Sequence, residues 1–285
     1  MQVRLESTAS AATKGKVGTV RRAARATYEY LLLYVGFAYF GVVGMLWSMV
    51  ASALCVILPR ELRARLGRQM IGFLFRGFLH FLQVTGAIRI DLSALDALRG
   101  EPGLVIAPNH PCLLDAVFVI AQVPEVTCII KAQIWRNVVL GGGARMAEYI
   151  RNDSAFSMLQ ASARALRRGH TLLVFPEGTR TRRLPVNSFK GGFALIAKVA
   201  KVPVQTVFIE TDSRFLSKGW PFLKKPAFPL AYRARLGKRF AVEGDLKGFL
   251  RQLEEYYRQE LSGQTGECAP PLLHPSPSPR PDSVA

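Results

Sequence analysis

The stretch Val105-Ile-Ala-Pro-Asn-His-Pro-Cys-Leu-Leu-Asp115 decides how this chain is read. The apolar run Gly103–Ala107 stops at a Pro-Asn-His-Pro turn, and a helix is expected to begin near Leu113. Thr171–Phe175 repeats the pattern, ending in Phe175-Pro-Glu-Gly-Thr-Arg180. Short, wholly apolar runs that stop at polar loops are how strands covered on both faces appear in a sequence. Working outward, Ala87–Leu92 alternates apolar and polar residues, and Val126–Ile130 and Val204–Ile209 are further strands. Ser154–Arg168 and Gly191–Ala200 read as helices between them. Strands alternating with helices predict an α/β domain, a mixed sheet flanked by helices, over residues 86–262.

The chain is both greasy and basic. Of its 285 residues 49% are hydrophobic, and its formal charge is +18. Mean hydropathy is +0.17. That combination points to an anionic bilayer surface or an anionic substrate. Nucleic acid is not the expected partner, because the sequence has neither zinc-finger spacing nor an aromatic RNA-binding signature. Cys55, Cys112, Cys128 and Cys268 show no C-x-x-C spacing and no histidine at a structural-zinc interval, so they read as reduced thiols with no metal expected.

Residues 1–27 are rich in Ala, Thr, Lys and Arg and read as a mobile basic N-terminus, with helix possible toward its end. From Tyr28 to Leu58 the only formal charge is Glu29. As a helix, Tyr30–Leu58 would be about 43 Å long, more than a ~30 Å hydrocarbon core needs. Pro59 breaks it, and Arg60, Arg63, Arg65 and Arg68 open a second segment carrying Leu74, Phe75, Phe78, Leu79 and Leu82. A basic first half joined to an apolar second half suits a helix lying at one leaflet. Residues 28–85 are therefore expected to be membrane-associated helices ahead of the α/β domain. Their flanks are basic on both sides, which fits a hairpin entering and leaving on one face and also permits one span. The Pro-rich segment 263–285 is expected to be disordered.

His110 sits in a strand-end loop, where catalytic residues concentrate, and Asp115 follows five residues later. If a helix starts just after the turn, the carboxylate can bond one imidazole nitrogen and leave the other free to accept a proton. Alone, such a pair is commonplace. Cys112 invites a thiol-nucleophile reading, but residues two apart near a helix start seldom face each other, and a small core residue is the better expectation.

The N-H-x-x-x-x-D string of Asn109, His110 and Asp115, followed about sixty residues later by F-P-E-G-T-R, resembles the glycerophospholipid acyltransferase superfamily, typified by lysophosphatidate acyltransferase. The resemblance covers most of residues 105–209. It implies that His110 is the general base and Asp115 its orienting partner. It places Glu177, Gly178 and Arg180 at the acceptor site, with Asn109 among the substrate contacts. A guanidinium offers a planar fork for phosphate, and glycine lets backbone approach closely. Glu148-Tyr-Ile-Arg151 resembles a further block of the family, which would make Arg151 a second phosphate contact, although the block's glycine is displaced to Gly141-Gly-Gly143. Lys131 and Lys190 stand where cations for a lipid phosphate are expected. Lys201-Val-Pro-Val-Gln-Thr-Val207 resembles a fourth block, with Thr206 in place of its second proline.

The resemblance implies an O-acyltransferase moving a fatty acyl group from acyl-CoA or acyl-carrier protein, as co-substrate and without a cofactor, to a lysophospholipid, foremost lysophosphatidate. The departures from the pattern leave room for a specialised acceptor such as an aryl-polyene or amino-acid lipid. A non-catalytic membrane-binding protein of the same fold is the reading from another class. Membrane lipids are the expected partners, the expected location is the cytoplasmic membrane with the catalytic domain facing the cytoplasm, and no oligomeric state is assigned.

Overall fold

The structure, a computed structural model, describes residues 2–262, with side chains described from residue 19 onward. The Pro-rich segment with Cys268 and His274 lies outside the described residues. Helix α1 (Gln2–Ile57) runs through residue 27 without a break, so the boundary expected there does not appear in the backbone. Pro59, extended at ψ 148°, turns the chain into α2 (Arg60–Val84). The two helices form a hairpin whose contact is aromatic: Tyr39 stacks on Phe81 at 5.1 Å and Phe40 meets Phe78 edge-on at 5.3 Å. Arg63 caps the turn by donating to the Cys55 carbonyl at 3.0 Å.

The α/β domain then follows in order: β1 (Ile88–Asp91), a 3-10 turn (Ser93–Leu98), β2 (Val105–Pro108), α3 (Asp115–Gln122), β3 (Thr127–Lys131), α4 (Ala132–Trp135), α5 (Gly141–Met146), β4 (Ile150–Asn152), α6 (Ala155–Arg167), β5 (Leu172–Leu173), α7 (Gly192–Ala200), β6 (Val204–Thr211), β7 (Leu230–Phe240) and α8 (Leu246–Ser262). Every strand and helix named from the sequence in this domain is present within a few residues, α3 starting at Asp115 rather than Leu113. Ser154 caps α6, its hydroxyl accepting from the Ser157 amide at 3.4 Å. The edge strand β4 and the final pair β7–α8 are additions.

The sheet has seven strands in the order β1-β7-β6-β2-β5-β3-β4. Strands β6, β2, β5, β3 and β4 are all parallel, while β7 runs against β6. Successive residues of a strand face opposite sides. Ile106, Leu173 and Val207 therefore join one core with α2 and α3, and Val105, Leu172 and Phe208 join the other with α7 and α8. Because the five parallel strands point the same way, their carboxyl ends line one edge, and the loops after β2, β5 and β3 meet there.

Helix α1 is not free of the domain. It packs on α5, whose opening glycines permit contact closer than any side chain would allow. A Cβ on Gly142 would lie 2.0 Å from the Ser48 carbonyl oxygen, and one on Gly143 2.7 Å from Trp47 Nε1. The Gly142 amide donates to Ser48 Oγ at 2.7 Å in a buried site. The far side of α1 exposes Leu31, Val35, Leu46, Met49 and Val50. Thr19–Ile57 is long and apolar enough to cross a membrane, by length and composition. Along one side α1 is fastened to α2 and α5, and its other side is left exposed.

Gly142→Val should overpack this contact at a cost of about 1–3 kcal/mol. Thermal unfolding of the detergent-solubilised protein is expected to fall by several degrees. Gly41→Ala, where nothing lies within 4 Å, serves as the control and should melt no lower than the native chain, since alanine favours the helix. Equal melting of the two variants would show that α1 is not seated on α5.

Candidate active site

Asp115 is the first residue of α3 and is fully buried. Its Oδ2 accepts from His110 Nδ1 at 2.8 Å and from the Cys112 amide at 2.8 Å, and Oδ1 accepts from Cys112 Sγ at 3.0 Å. Burial pushes the carboxyl above its ordinary range, while the donors from His110 and Cys112 pull the other way. The bond to Nδ1 fixes the ring and leaves Nε2 without a protein partner among the described residues. His110 lies flat on Phe175, with ring centroids 3.9 Å apart, so the Phe-Pro-Glu-Gly-Thr-Arg loop also holds the imidazole in place.

The same loop grips the backbone of His110. Glu177 Oε1 accepts from the His110 amide at 3.0 Å and from Thr181 Oγ1 at 2.7 Å, and Oε2 accepts from the Asn187 amide at 2.8 Å. The His110 carbonyl in turn accepts from the Thr181 amide at 2.7 Å. Glu177 is 1% exposed, and its carboxylate, held by these three chain donors, is among the groups lining the cavity beside His110. Gly178 takes a φ of +68°, which an L side chain rarely adopts, and so lets the loop turn. Arg180 Nη1 donates to the carbonyls of Leu216 and Ser217 at 2.7 and 3.1 Å, tying this loop to the one after β6.

These residues stand at one end of a cavity of about 890 Å³. His110, Gly178, Arg180, Lys190 and Lys131 line its polar end, and Phe40, Trp47, Phe75 and Phe78 of the hairpin line much of the rest. Two sequence expectations need correction. Asn109 is not at the cavity: it is buried, and its carboxamide accepts from the Ile209 amide at 2.7 Å and donates to the Ile209 carbonyl at 3.0 Å, extending the β2–β6 ladder. Arg151 lies outside the lining too, because β4 turns its side chain to Asp153 at 2.5 Å and over the Trp135 ring. Cys112 is a buried neighbour of the dyad whose thiol burial, then Asp115, pushes well above its ordinary range. Among the described residues no group of three or more His, Cys, Asp or Glu is placed to hold a metal.

Sequence reasoning missed Tyr257 of α8. Its hydroxyl donates to the Ala107 carbonyl and accepts from the Val207 amide at 3.3 Å, closing the ladder beside the site where a bulge shifts the register between Gln205 and Val207. Thr206 fills that bulge, its hydroxyl donating to the Lys238 carbonyl at 2.7 Å. The spacing Phe249, Leu253, Tyr257 marks a buried helical face in the sequence, but nothing local reveals the hydroxyl's partners.

A family model described as Acyltransferase matches residues 89–210. The chain is 31% identical over 200 residues to the lyso-ornithine lipid O-acyltransferase of Pseudomonas aeruginosa, covering 69% of this chain and 67% of that one. It is 22% identical over 270 residues to the 1-acyl-sn-glycerol-3-phosphate acyltransferase of the same organism, covering 90% and 97%. The fold is like that of the 1-acyl-sn-glycerophosphate acyltransferase from Thermotoga maritima, with a TM-score of 0.64 at 19% identity over 87% of this chain and 100% of that one. With the buried dyad opening on an apolar cavity, these likenesses lead to one conclusion: the chain is an acyltransferase and belongs to the glycerophospholipid acyltransferase superfamily.

Proposed function

We propose that the protein transfers a fatty acyl group from a thioester to the hydroxyl of a lysolipid, with His110 as general base. One observation carries this reading: His110 Nε2, oriented through Nδ1 by a buried Asp115, stands where an apolar cavity meets a basic rim. The acceptor hydroxyl gives its proton to Nε2 as its oxygen attacks the thioester carbonyl. Collapse of the tetrahedral intermediate breaks the C–S bond, and the leaving thiolate takes the proton back from the imidazolium. The Asp115 carboxylate stabilises that imidazolium and keeps the ring from rotating. No enzyme nucleophile is needed, because the thioester is already activated. The apolar part of the cavity suits an acyl chain, each buried methylene contributing roughly 0.8 kcal/mol.

Lys131, Lys190 and Arg180 surround the polar end, which favours an anionic head group, and lysophosphatidate is the acceptor we propose first. Arg180 meets it with a guanidinium already steadied by two carbonyls. Glu177 and Gly178 act on this view by shaping the loop. An amino-acid lysolipid is the second reading, favoured by the 31% identity to the lyso-ornithine lipid enzyme and by the absence of Arg151 from the cavity. The exposed Arg182, Arg183 and Lys190 suit either donor, the phosphates of acyl-CoA or an acidic carrier protein. We place the hairpin in the cytoplasmic leaflet with the catalytic domain toward the cytoplasm, where thioesters are made.

Purified protein given labelled acyl-CoA or acyl-carrier protein and a panel of lysolipids tests the reading directly. His110→Ala should lower turnover by roughly 10²–10⁴-fold, with membrane association unchanged, and Asp115→Asn should lose part of that. Near-full turnover by His110→Ala would refute the assignment. Cys112 makes the converse prediction. Its raised pKa and burial keep it a protonated thiol at neutral pH, so iodoacetamide should not label it in the folded protein and Cys112→Ala should retain most activity. Rapid labelling with matching inactivation would revive the nucleophile.

Membrane attachment should resist salt. Each Lys or Arg near an anionic leaflet contributes about 1 kcal/mol, whereas the apolar face of the hairpin contributes roughly 25 cal/mol per Å² buried. A high-salt wash is expected to leave the chain on membranes and detergent to release it. Clean release by salt would reduce the attachment to surface electrostatics.

A further inference from the structure

The connection between β6 and β7 contains Gly219-Trp-Pro-Phe-Leu-Lys-Lys-Pro-Ala-Phe228, which the acyl-transfer chemistry leaves unused. It is a built turn. The Lys224 amide donates to the Pro221 carbonyl at 3.0 Å, and Trp220 Nε1 donates to the Lys224 carbonyl at 3.0 Å. It docks on α1 where the basic N-terminal part gives way to the apolar run. Phe222 stacks on Phe37 with centroids 4.1 Å apart. Lys225 pairs with Glu29 and sits over the Tyr30 ring, and Arg25 reaches the Phe228 carbonyl at 3.4 Å.

The turn nevertheless keeps its apolar tip outward. Phe222 is 56% and Leu223 62% exposed, with Lys218 and Lys224 exposed beside them. Burying Phe222 against α1 completely would have been the expected outcome for a loop in water. The apolar tip instead stays exposed beside α1, on which Leu31, Tyr34 and Val35 are exposed as well. Tryptophan, exposed apolar side chains and lysines together are the composition of a segment at the boundary of head groups and acyl chains. Glu29 fits the same setting, since its carboxylate is neutralised by Arg25 and Lys225. Phe222 and Phe228 also line the cavity that reaches His110.

We propose that residues 219–228 form a second membrane contact besides the helical hairpin. The tip inserts Leu223 among the acyl chains of an anionic leaflet, with Lys218 and Lys224 at the level of the phosphates. This contact sets the depth at which the mouth of the cavity meets the leaflet, so that a lysolipid passes from bilayer to site without crossing water. The delivery role rests on the acyl-transfer reading; the membrane contact does not.

The test uses the full chain reconstituted in phosphatidylcholine/phosphatidylglycerol vesicles brominated on the acyl chains. The Trp220 signal is taken as the difference between the native protein and Trp220→Phe. That signal should be quenched by the bromines, and the Leu223→Asp/Lys224→Glu double variant should abolish the quenching while remaining vesicle-bound through the hairpin. Acylation of a long-chain lysophosphatidate held in the vesicles should fall roughly tenfold in the double variant, since withdrawing a partitioned apolar side chain and reversing a phosphate-facing charge weaken insertion by at least that factor. The same lysolipid in detergent micelles should lose less than about twofold. Leu223→Met should behave as the native chain in both formats. Unquenched Trp220 in the native protein, or equal loss in vesicles and micelles, overturns the proposal. Lack of turnover by the native protein in every format would strike the acyl-transfer reading and leave the quenching result to decide the membrane contact.

Discussion

A carboxylate at zero exposure is costly unless donors surround it, and Asp115 is the group on which this site depends. Its partners, His110 and Cys112, both come from the turn between β2 and α3. The imidazole ring, the Cys112 amide and the Cys112 thiol converge on one carboxylate. This arrangement fixes the tautomer of His110, determines which nitrogen faces the cavity and keeps Cys112 protonated. Glu177 repeats the device from the other side, holding the His110 amide, Thr181 and Asn187. Two buried carboxylates, each satisfied by the chain, thus hold one histidine by its ring and by its backbone.

The hairpin does two jobs with one set of residues. The inward side of α1 and α2 walls the cavity with Phe40, Trp47, Phe75 and Phe78, and the outward side is apolar as well. A helix that is apolar all round either lies inside a large core or contacts lipid. Here one face of α1 packs on the domain and the other stays exposed and apolar. Gly142 and Gly143 of α5 bring α1 close enough for Ser48 to bond the Gly142 amide, which couples the apolar hairpin to the domain that carries the dyad. Cavity wall, hairpin and His110 consequently share one frame.

Edge geometry explains why residues seventy apart in sequence serve one site. Parallel strands deliver their carboxyl-terminal loops to the same edge, so the loops after β2 and β5 come into hydrogen-bonding contact through pairing of Val105 with Leu172 and Ile106 with Leu173. Tyr257 from the last helix then bridges β2 and β6 beneath them, bonding the Ala107 carbonyl and the Val207 amide.

Local chemistry alone marked the strands and the basic, apolar N-terminal segment, because apolar runs and a thirty-residue greasy stretch are properties of contiguous residues. The resemblance of two short motifs was enough to name the chemistry. What no contiguous stretch could show was direction. Asn109 and Arg151 carry side chains suited to substrate, yet strand pairing aims one at Ile209 and the other at Asp153. Glu177 lines the cavity as its charge suggested, and the fold also surrounds it with two amides and a hydroxyl that no local stretch announces. Gly141-Gly-Gly143 looked like a displaced motif and proved to be the seat of α1. Residue type and spacing limit what a side chain can do; which neighbour it meets is set by strand register and helix packing, and those are decided by long-range burial across the whole chain.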